Sequence, residues 1–244
     1  MSDFPIAAVV VVIPVHNEEA LLARCLQSVD AATRQIDLPC EVRVVLDACT
    51  DQSAQIASRF PFETIEVSAT AVGAARAVGV SAALADFDDI EAERIWIAVT
   101  DADSQVPPQW LTAQRSLADA GNDVVVGTVR PDFADLSRSH RALWLKTHIR
   151  GKPNGHVHGA NLGVRASTYL AAGGFNAVAE HEDVGLVAQC RAIGAAVAAS
   201  DSAEVLTSGR FEGRTPGGYA AYLRNQAADL RPADAALDEQ WTAS

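Results

Sequence analysis

The chain has 244 residues, 49% of them hydrophobic and 20% charged, which is enough apolar material for one large domain or two small ones with a substantial core and argues against a disordered protein. Lys plus Arg is 19 and Asp plus Glu is 31, a formal net charge of −12, so general nucleic-acid binding, which rests on neutralising phosphates with basic side chains, is disfavoured. An anionic ligand would need local help from a bound cation or a few placed arginines.

The N-terminus, MSDFPIAAVVVVIPV, carries an apolar run with no basic segment ahead of it and no small-residue cleavage site after it. The run is shorter than the roughly 20 apolar residues that a membrane-spanning helix needs, and no later stretch reaches that length without charges. The expectation is a cytoplasmic chain without a transmembrane segment. Cys25, Cys40, Cys49 and Cys190 form no C-x-x-C pair and no zinc-ligand spacing with His, which suits a reducing compartment, with Cys25 and Cys190 as core thiols.

Val9 to Ile13 is an unbroken β-branched run and predicts a strand buried on both faces. Asn17 is placed to cap a helix from about Glu18, with Leu21, Leu22, Cys25, Leu26 and Val29 as its apolar stripe. The alternation then repeats. Strands are predicted at Val42–Leu46, Thr64–Val67, Ile95–Val99 and Val124–Val129, and helices at Ser53–Phe60, Gly73–Ala85 and Pro108–Ala120. Strands alternating with helices imply a mostly parallel sheet covered on both faces.

After Arg130 the pattern changes. Residues 131–158 are polar and rich in His and Arg, with a helix over Leu136–Ile149 and a loop through Lys152-Pro153-Asn154-Gly155. Further on, Ala160–Val164 predicts a strand, a short helix ends near Gly173-Gly174, and Glu182–Ile193 is a helix with Val184, Val187 and Cys190 on its apolar face. Short strands follow at Ala195–Ala199 and Glu204–Leu206, then a helix over Gly217–Leu230 and a loosely held tail over 231–244. The reading is one domain over residues 1–230, with residues 1–130 binding the nucleotide and residues 131–230 holding the acceptor and the base.

Carboxylates fall where strands end, the place where ligands sit in open α/β sheets. Asp47 follows one strand and could accept hydrogen bonds from a nucleobase or simply close a turn. Asp101-Ala102-Asp103 follows another and could direct two carboxylates at one hard cation, or cap a turn with the second residue solvated. Gly73-Ala74-Ala75-Arg76 opens a helix, where a glycine permits close approach and the helix start favours anions; Arg76 could contact the nucleotide, hold a binding carboxylate, or simply be an exposed arginine at an ordinary helix start. His181-Glu182-Asp183 opens another, where the acids could answer the helix dipole or supply a general base, preferably Asp183. Arg210 and Arg214 lie in a Gly-containing loop that could close over a diphosphate or could be a solvated surface loop. No G-x-G-x-x-G follows the first strand, and neither a P-loop nor a G-x-S-x-G elbow is present, which disfavours a dinucleotide enzyme, a P-loop nucleotidase and a serine hydrolase.

Taken in order, Val11-Val12-Ile13-Pro14-Val15-His16-Asn17-Glu18-Glu19, Asp47-Ala48-Cys49-Thr50-Asp51, Gly73-Ala74-Ala75-Arg76, Asp101-Ala102-Asp103, Gly159-Ala160-Asn161-Leu162-Gly163 with Gly173-Gly174-Phe175, and Glu182-Asp183 resemble the family 2 glycosyltransferases of GT-A fold. The resemblance covers about residues 7–218. It implies an α/β fold of GT-A type, a UDP- or GDP-linked sugar donor and Mg²⁺ or Mn²⁺. It implies that Pro14, His16 and Glu18 line the nucleotide pocket and that Asp47 recognises the base. It also places Asp101 and Ala102 at the ribose or diphosphate, Asp103, with Asp101, on the metal, the Gly159–Asn161 segment, Asn161 included, at the donor-sugar and acceptor site, and Asp183 as the base of an inverting transfer, with Glu182 beside it. The chain departs from the family pattern at Leu46-Asp47-Ala48-Cys49, where D-D-G-S is usual, and it has no His after His181; Arg210 or Arg214 would then pair with the diphosphate. The rivals are a nucleotidyltransferase, disfavoured by Pro14-Val15-His16-Asn17-Glu18 in place of a Gly-rich loop after strand one, and a non-catalytic nucleotide-sugar binder. The acceptor, whether small molecule, glycan or lipid-linked, is not legible at this level.

Overall fold

Valine at nearly every position of the first strand leaves no polar face, so that strand is stable only at the centre of a covered sheet. A computed structural model, describing residues 4–213 and 217–228, shows this. Strand β1 (Ala8–Val15) sits between β2 (Cys40–Asp47) and β4 (Ile95–Val99), parallel to both. Beyond β2 lies β3 (Glu63–Val67), and beyond β4 lie β6 (Leu162–Arg165), β5 (Val124–Pro131) and β7 (Val197–Thr207), giving the order β3-β2-β1-β4-β6-β5-β7 with only β6 antiparallel.

The pleat of β1 divides the core. Val9, Val11, Ile13 and Val15 pack under α1 (Leu22–Thr33), α2 (Ser53–Ala57) and α4 (Trp110–Asp119). Ala8, Val10 and Val12 face α3 (Val72–Leu84), α6 (Ala166–Ala171) and α7 (Glu182–Ala192), while α5 (Arg138–Thr147) lies outside both layers. Each valine so buried contributes roughly 1.5–3 kcal/mol, which fixes β1 as the rigid axis that carries Pro14 to Glu18 to the sheet's rim.

Several expected boundaries shift for physical reasons. Asn17 caps no helix: α1 begins at Leu22, and the Asn17 side-chain oxygen accepts from the backbone N–H of Thr50 at 2.8 Å and of Asp51 at 3.3 Å, tying the loop after β1 to the loop after β2. The strands expected at 195–199 and 204–206 are one strand, β7, interrupted against β5 by a register shift between Gly127 and Val129. Residues 159–161 form a single 3₁₀ turn ahead of β6. Val184 is exposed, and Leu186 fills the place in the core expected of it beside Val187 and Cys190. Residues 219–228 are helical, and the predicted tail and Arg214 lie outside the described residues.

Candidate active site

The loops at the carboxyl ends of β1, β2 and β4 and the segment following β7 enclose a cavity of about 430 Å³. Pro14, His16, Glu18, Asp47, Asp101, Ala102, Asp103 and Arg210 all line it, so eight of the residues singled out in the sequence meet in one place. Among the described residues four non-glycines have positive φ: Asn17 (53°), Ala48 (48°) and Thr70 (51°) in the turns around this rim, and His181 (59°) at the start of α7 on a neighbouring cavity. Such conformations cost of order 1–3 kcal/mol each and persist only where surrounding contacts hold them.

Those contacts are visible. The Asp47 carboxylate, buried at the end of β2, accepts from the backbone N–H of Thr70 at 2.9 Å and of Ala71 at 3.2 Å, which pins the turn leading into α3. Two bonds leave lone pairs on that carboxylate still available. His16 Nδ1 lies 2.7 Å from the Asp47 carbonyl, and the Ser53 hydroxyl accepts from the Glu18 backbone N–H at 3.0 Å. Arg210 donates to both oxygens of Glu18, at 3.0 and 2.7 Å, and stands 2.9 Å from Asp103. Asp103 also accepts from Ser104 at 3.2 Å and Thr207 at 3.4 Å. Burial, with the Asp101 charge adding to it and Arg210 opposing, pushes the Asp103 carboxyl up to about 6.

Arg76 is the hub beneath the cavity. It is 2% exposed and donates through one Nη to Asp101 and through the other to Glu182. It therefore braces two carboxylates, which is one of the two roles read for it from the sequence, the other being a direct contact with the nucleotide. Gly159 makes this possible, since a Cβ there would meet the guanidinium at 2.2 Å. Gly73 likewise permits a close approach, but to the Asn176 carbonyl, 1.9 Å from where a Cβ would be, and not to a ligand. Burial raises the Asp101 carboxyl, Arg76 pulls it down and Asp183 adds to the rise; with 37% of its side chain open to the cavity, solvent moderates the shift.

Asp101 also lines a second cavity of about 380 Å³ that shares Val72, Thr207, Gly218 and Tyr219 with the first. Asp183 is on its wall, half-buried, in the first turn of α7. His148, His156, His158, Tyr219 and Tyr222 complete much of that wall, and none of the five was singled out in the sequence. The His-rich character of 131–158 was the available signal, but it gave no way to tell which rings face inward.

Two expected site residues are corrected. Glu182 lines the second cavity but is 4% exposed and locked to Arg76, so it is an internal counter-ion and not a second base. Asn161 lines neither cavity. Its oxygen accepts from Trp110 Nε1 at 2.9 Å and Gln114 at 3.3 Å, and its amide donates at 2.9 Å to the carbonyls of Thr128 and Ala203. Those carbonyls belong to the interrupted stretch of the β5–β7 ladder, so Asn161 satisfies backbone groups that the irregularity leaves unpaired.

Among the described residues, no group of three His, Cys, Asp or Glu side chains converges as a metal site. Asp101 and Asp103 both line the first cavity, and carboxylate oxygens are the donors that a hard divalent cation takes. Glu18, Asp101, Asp103 and Glu182 share two guanidiniums, Arg76 and Arg210, and burial first, then the Asp101 and Glu18 charges, raise Asp103 against the pull of Arg210.

A seven-stranded, mostly parallel sheet with carboxylates gathered at its rim defines a GT-A-type α/β protein. Residues 10–171 match the family described as glycosyl transferase family 2, and the chain belongs to that family. Curated relatives include undecaprenyl-phosphate 4-deoxy-4-formamido-L-arabinose transferases from Pseudomonas syringae pv. syringae, 36% identical over 137 residues (55% of this chain, 39% of that one), and from Edwardsiella ictaluri, 37% identical over 147 residues (58% and 43%). The chain thus spans about two-fifths of the length of these relatives. Among solved structures, S. aureus TarS 1–349 in complex with UDP-GlcNAc superposes with a TM-score of 0.63 at 16% identity, covering 86% of this chain and 61% of that one. The mannosyltransferase PcManGT from Pyrobaculum calidifontis, in complex with GDP-Man and Mn²⁺, gives 0.57 at 18% identity, covering 97% and 75%. Among the described residues no helix is long and apolar enough to cross a membrane.

Proposed function

We propose that the chain transfers a sugar from a UDP- or GDP-linked donor to an acceptor hydroxyl, with inversion, assisted by Mg²⁺ or Mn²⁺. The observation that carries this reading is the meeting of Glu18, Asp47, Asp101, Asp103 and Arg210 around one cavity that opens, past Asp101, onto a second cavity holding Asp183. Asp47, braced on Thr70 and Ala71, keeps lone pairs for a base N–H. Asp103, with Asp101, would hold the cation, which when bound stabilises negative charge on the departing diphosphate. Arg210 reaches Asp103 and is within the same cavity as the diphosphate would be, where a guanidinium suits phosphate oxygens. Asp183 accepts the proton of the acceptor hydroxyl as that oxygen bonds to the anomeric carbon and the bond to the diphosphate oxygen breaks. Both cavities draw on both of the halves read from the sequence: Arg210 and Thr207 reach the first, and Arg76 and Asp101 line the second.

The test is a thermal-shift screen of UDP-glucose, UDP-GlcNAc and GDP-mannose with and without Mn²⁺, followed by slow donor hydrolysis. A true donor raises the melting temperature by mass action, more so with the metal, and is hydrolysed. Binding without hydrolysis would establish the non-catalytic binder instead, and no shift with any of them would remove the reading altogether.

A further inference from the structure

The second cavity restricts what the acceptor can be, an inference that rests on the glycosyltransferase reading. We propose that the acceptor is a neutral polyhydroxylated ring, a glycoside presenting a hydroxyl to Asp183, and not a phosphate- or carboxylate-bearing molecule, because the described wall offers aromatic faces and acids but no cation left over for an anion. The one guanidinium there, Arg76, is buried and has given one Nη to Asp101 and the other to Glu182. Asp183 and Glu180 add two further carboxylates to the lining. A phosphate brought among these groups meets like charge without a partner, which disfavours its binding or forces protonation.

The remaining wall suits a sugar. Tyr219 and Tyr222 are stacked, with ring centroids 5.7 Å apart and 27° between planes, and His158 stands edge-on to Tyr219 at 5.6 Å and 87°. Trp144 Nε1 donates to the Tyr219 hydroxyl at 3.2 Å and its ring stacks on His148 at 4.0 Å, so these rings are held and not adrift. Burial pushes His158 down to about 4 and lowers His148 as well, which leaves both as neutral rings near pH 7. Neutral imidazoles and phenols supply both donors and acceptors for hydroxyls, carboxylates accept from them, and aromatic faces cover the C–H faces of a ring. A cavity of about 380 Å³ is of the size that takes one or two such rings.

The experiment uses the full chain and two sets of probes. One set is the p-nitrophenyl glycosides of glucose, galactose, mannose and N-acetylglucosamine; the other is farnesyl phosphate in detergent micelles and 3-phosphoglycerate. Saturation-transfer NMR without donor reads binding, and mass spectrometry with Mn²⁺ and the intact nucleotide sugar selected in the donor screen reads transfer. The expected result is saturation transfer to at least one glycoside and glycosylation of it at least tenfold faster than of either anion. Tyr222→Ala then raises the KM for that glycoside at least tenfold, with Tyr222→Phe restoring most of the loss. Transfer to farnesyl phosphate or 3-phosphoglycerate as fast as to any glycoside overturns the proposal, and so does the absence of both binding and transfer with every glycoside. If no nucleotide sugar binds, the parent reading falls on that result alone. The donor-free NMR arm still decides the acceptor class, a glycoside signal supporting it and an anion signal sinking it.

Discussion

The first cavity is closed by charge acting across a long stretch of chain, with Arg210 reaching Glu18 192 residues away, and the junction behind it is braced in the same way by Arg76 reaching Glu182 106 residues away. The second is walled by rings from 148–158 and 219–222 that touch one another by stacking and single hydrogen bonds. Fixed ion pairs hold a site ready before its ligand arrives, which is what stabilising a departing diphosphate requires. Stacked rings on connecting segments can be exchanged without disturbing the sheet, which suits the part of a site that selects an acceptor. The two cavities meet at Asp101, and the largest effects should come from residues that serve the junction.

Asp183→Asn is the sharpest probe of that division. Removing the base should lower transfer by about a hundred- to ten-thousand-fold, as general-base losses do. The KM for the donor should stay within about threefold, because Asp183 lines only the second cavity. Steady-state kinetics with varied donor would show it, and a collapse of donor affinity would mean the two cavities are one functional unit.

Arg76→Met probes the brace between them. Glu182, 5% exposed in its side chain, would be left as a buried uncompensated charge, a loss of about 3–5 kcal/mol for a broken buried pair. Urea unfolding should show the midpoint falling without a change in slope. Gly159→Ala, whose Cβ would meet the guanidinium at 2.2 Å, should act in the same direction. Stability equal to the parent in both would show that Asp101 and Glu182 need no partner.

These residues also mark how far the sequence could be read. Six of the seven strands were set to within a few residues, most of them because burial on both faces leaves an apolar run of Val and Ile, and the exposed edge strand β3 through the Thr64 to Val67 alternation. The D-x-D turn and Asp47 were legible because strand ends are where such sheets bind ligands. Asn161 was misread because a polar side chain beside glycines looks alike whether it faces a ligand or mends a ladder, and only the register break between Gly127 and Val129 reveals the second role. Glu182 and Asp183 are adjacent and chemically alike, and the helix rotates one onto Arg76 and the other onto the cavity. His158 and Tyr219 come from segments 61 residues apart whose meeting no local pattern encodes.

Asp103→Asn separates readiness from stability. With its pKa raised from 3.8 to about 6, the folded protein holds this proton more tightly than the unfolded chain does. The favourable contribution of that proton is complete below about pH 4 and is lost as pH rises through about 6. At pH 8 the carboxylate is a net cost of up to about 3 kcal/mol at about 1.4 kcal/mol per unit. Asp103→Asn should therefore melt a few degrees higher than the parent at pH 8, with the gain fading toward pH 4, while metal-dependent turnover is abolished. A lower melting temperature at pH 8 would show that the pairing with Arg210 outweighs the burial.

The smallest expected effect concerns Ala48, which follows Asp47 with φ 48° where the resembling family pattern has glycine. An L-residue pays about 1–2 kcal/mol for the left-handed region, and glycine pays nothing there. Glycine returns about 0.5–1 kcal/mol of that by loosening the unfolded chain. Ala48→Gly should thus stabilise the protein by about 0.5–1 kcal/mol and raise its melting temperature by about one to three degrees for a chain of this size. Because the Asp47 carboxylate is held independently by Thr70 and Ala71, the KM for the donor should not move by more than about twofold. A weaker donor affinity in Ala48→Gly would show that the strained turn itself, and not the hydrogen bonds to Asp47, keeps the first cavity in shape.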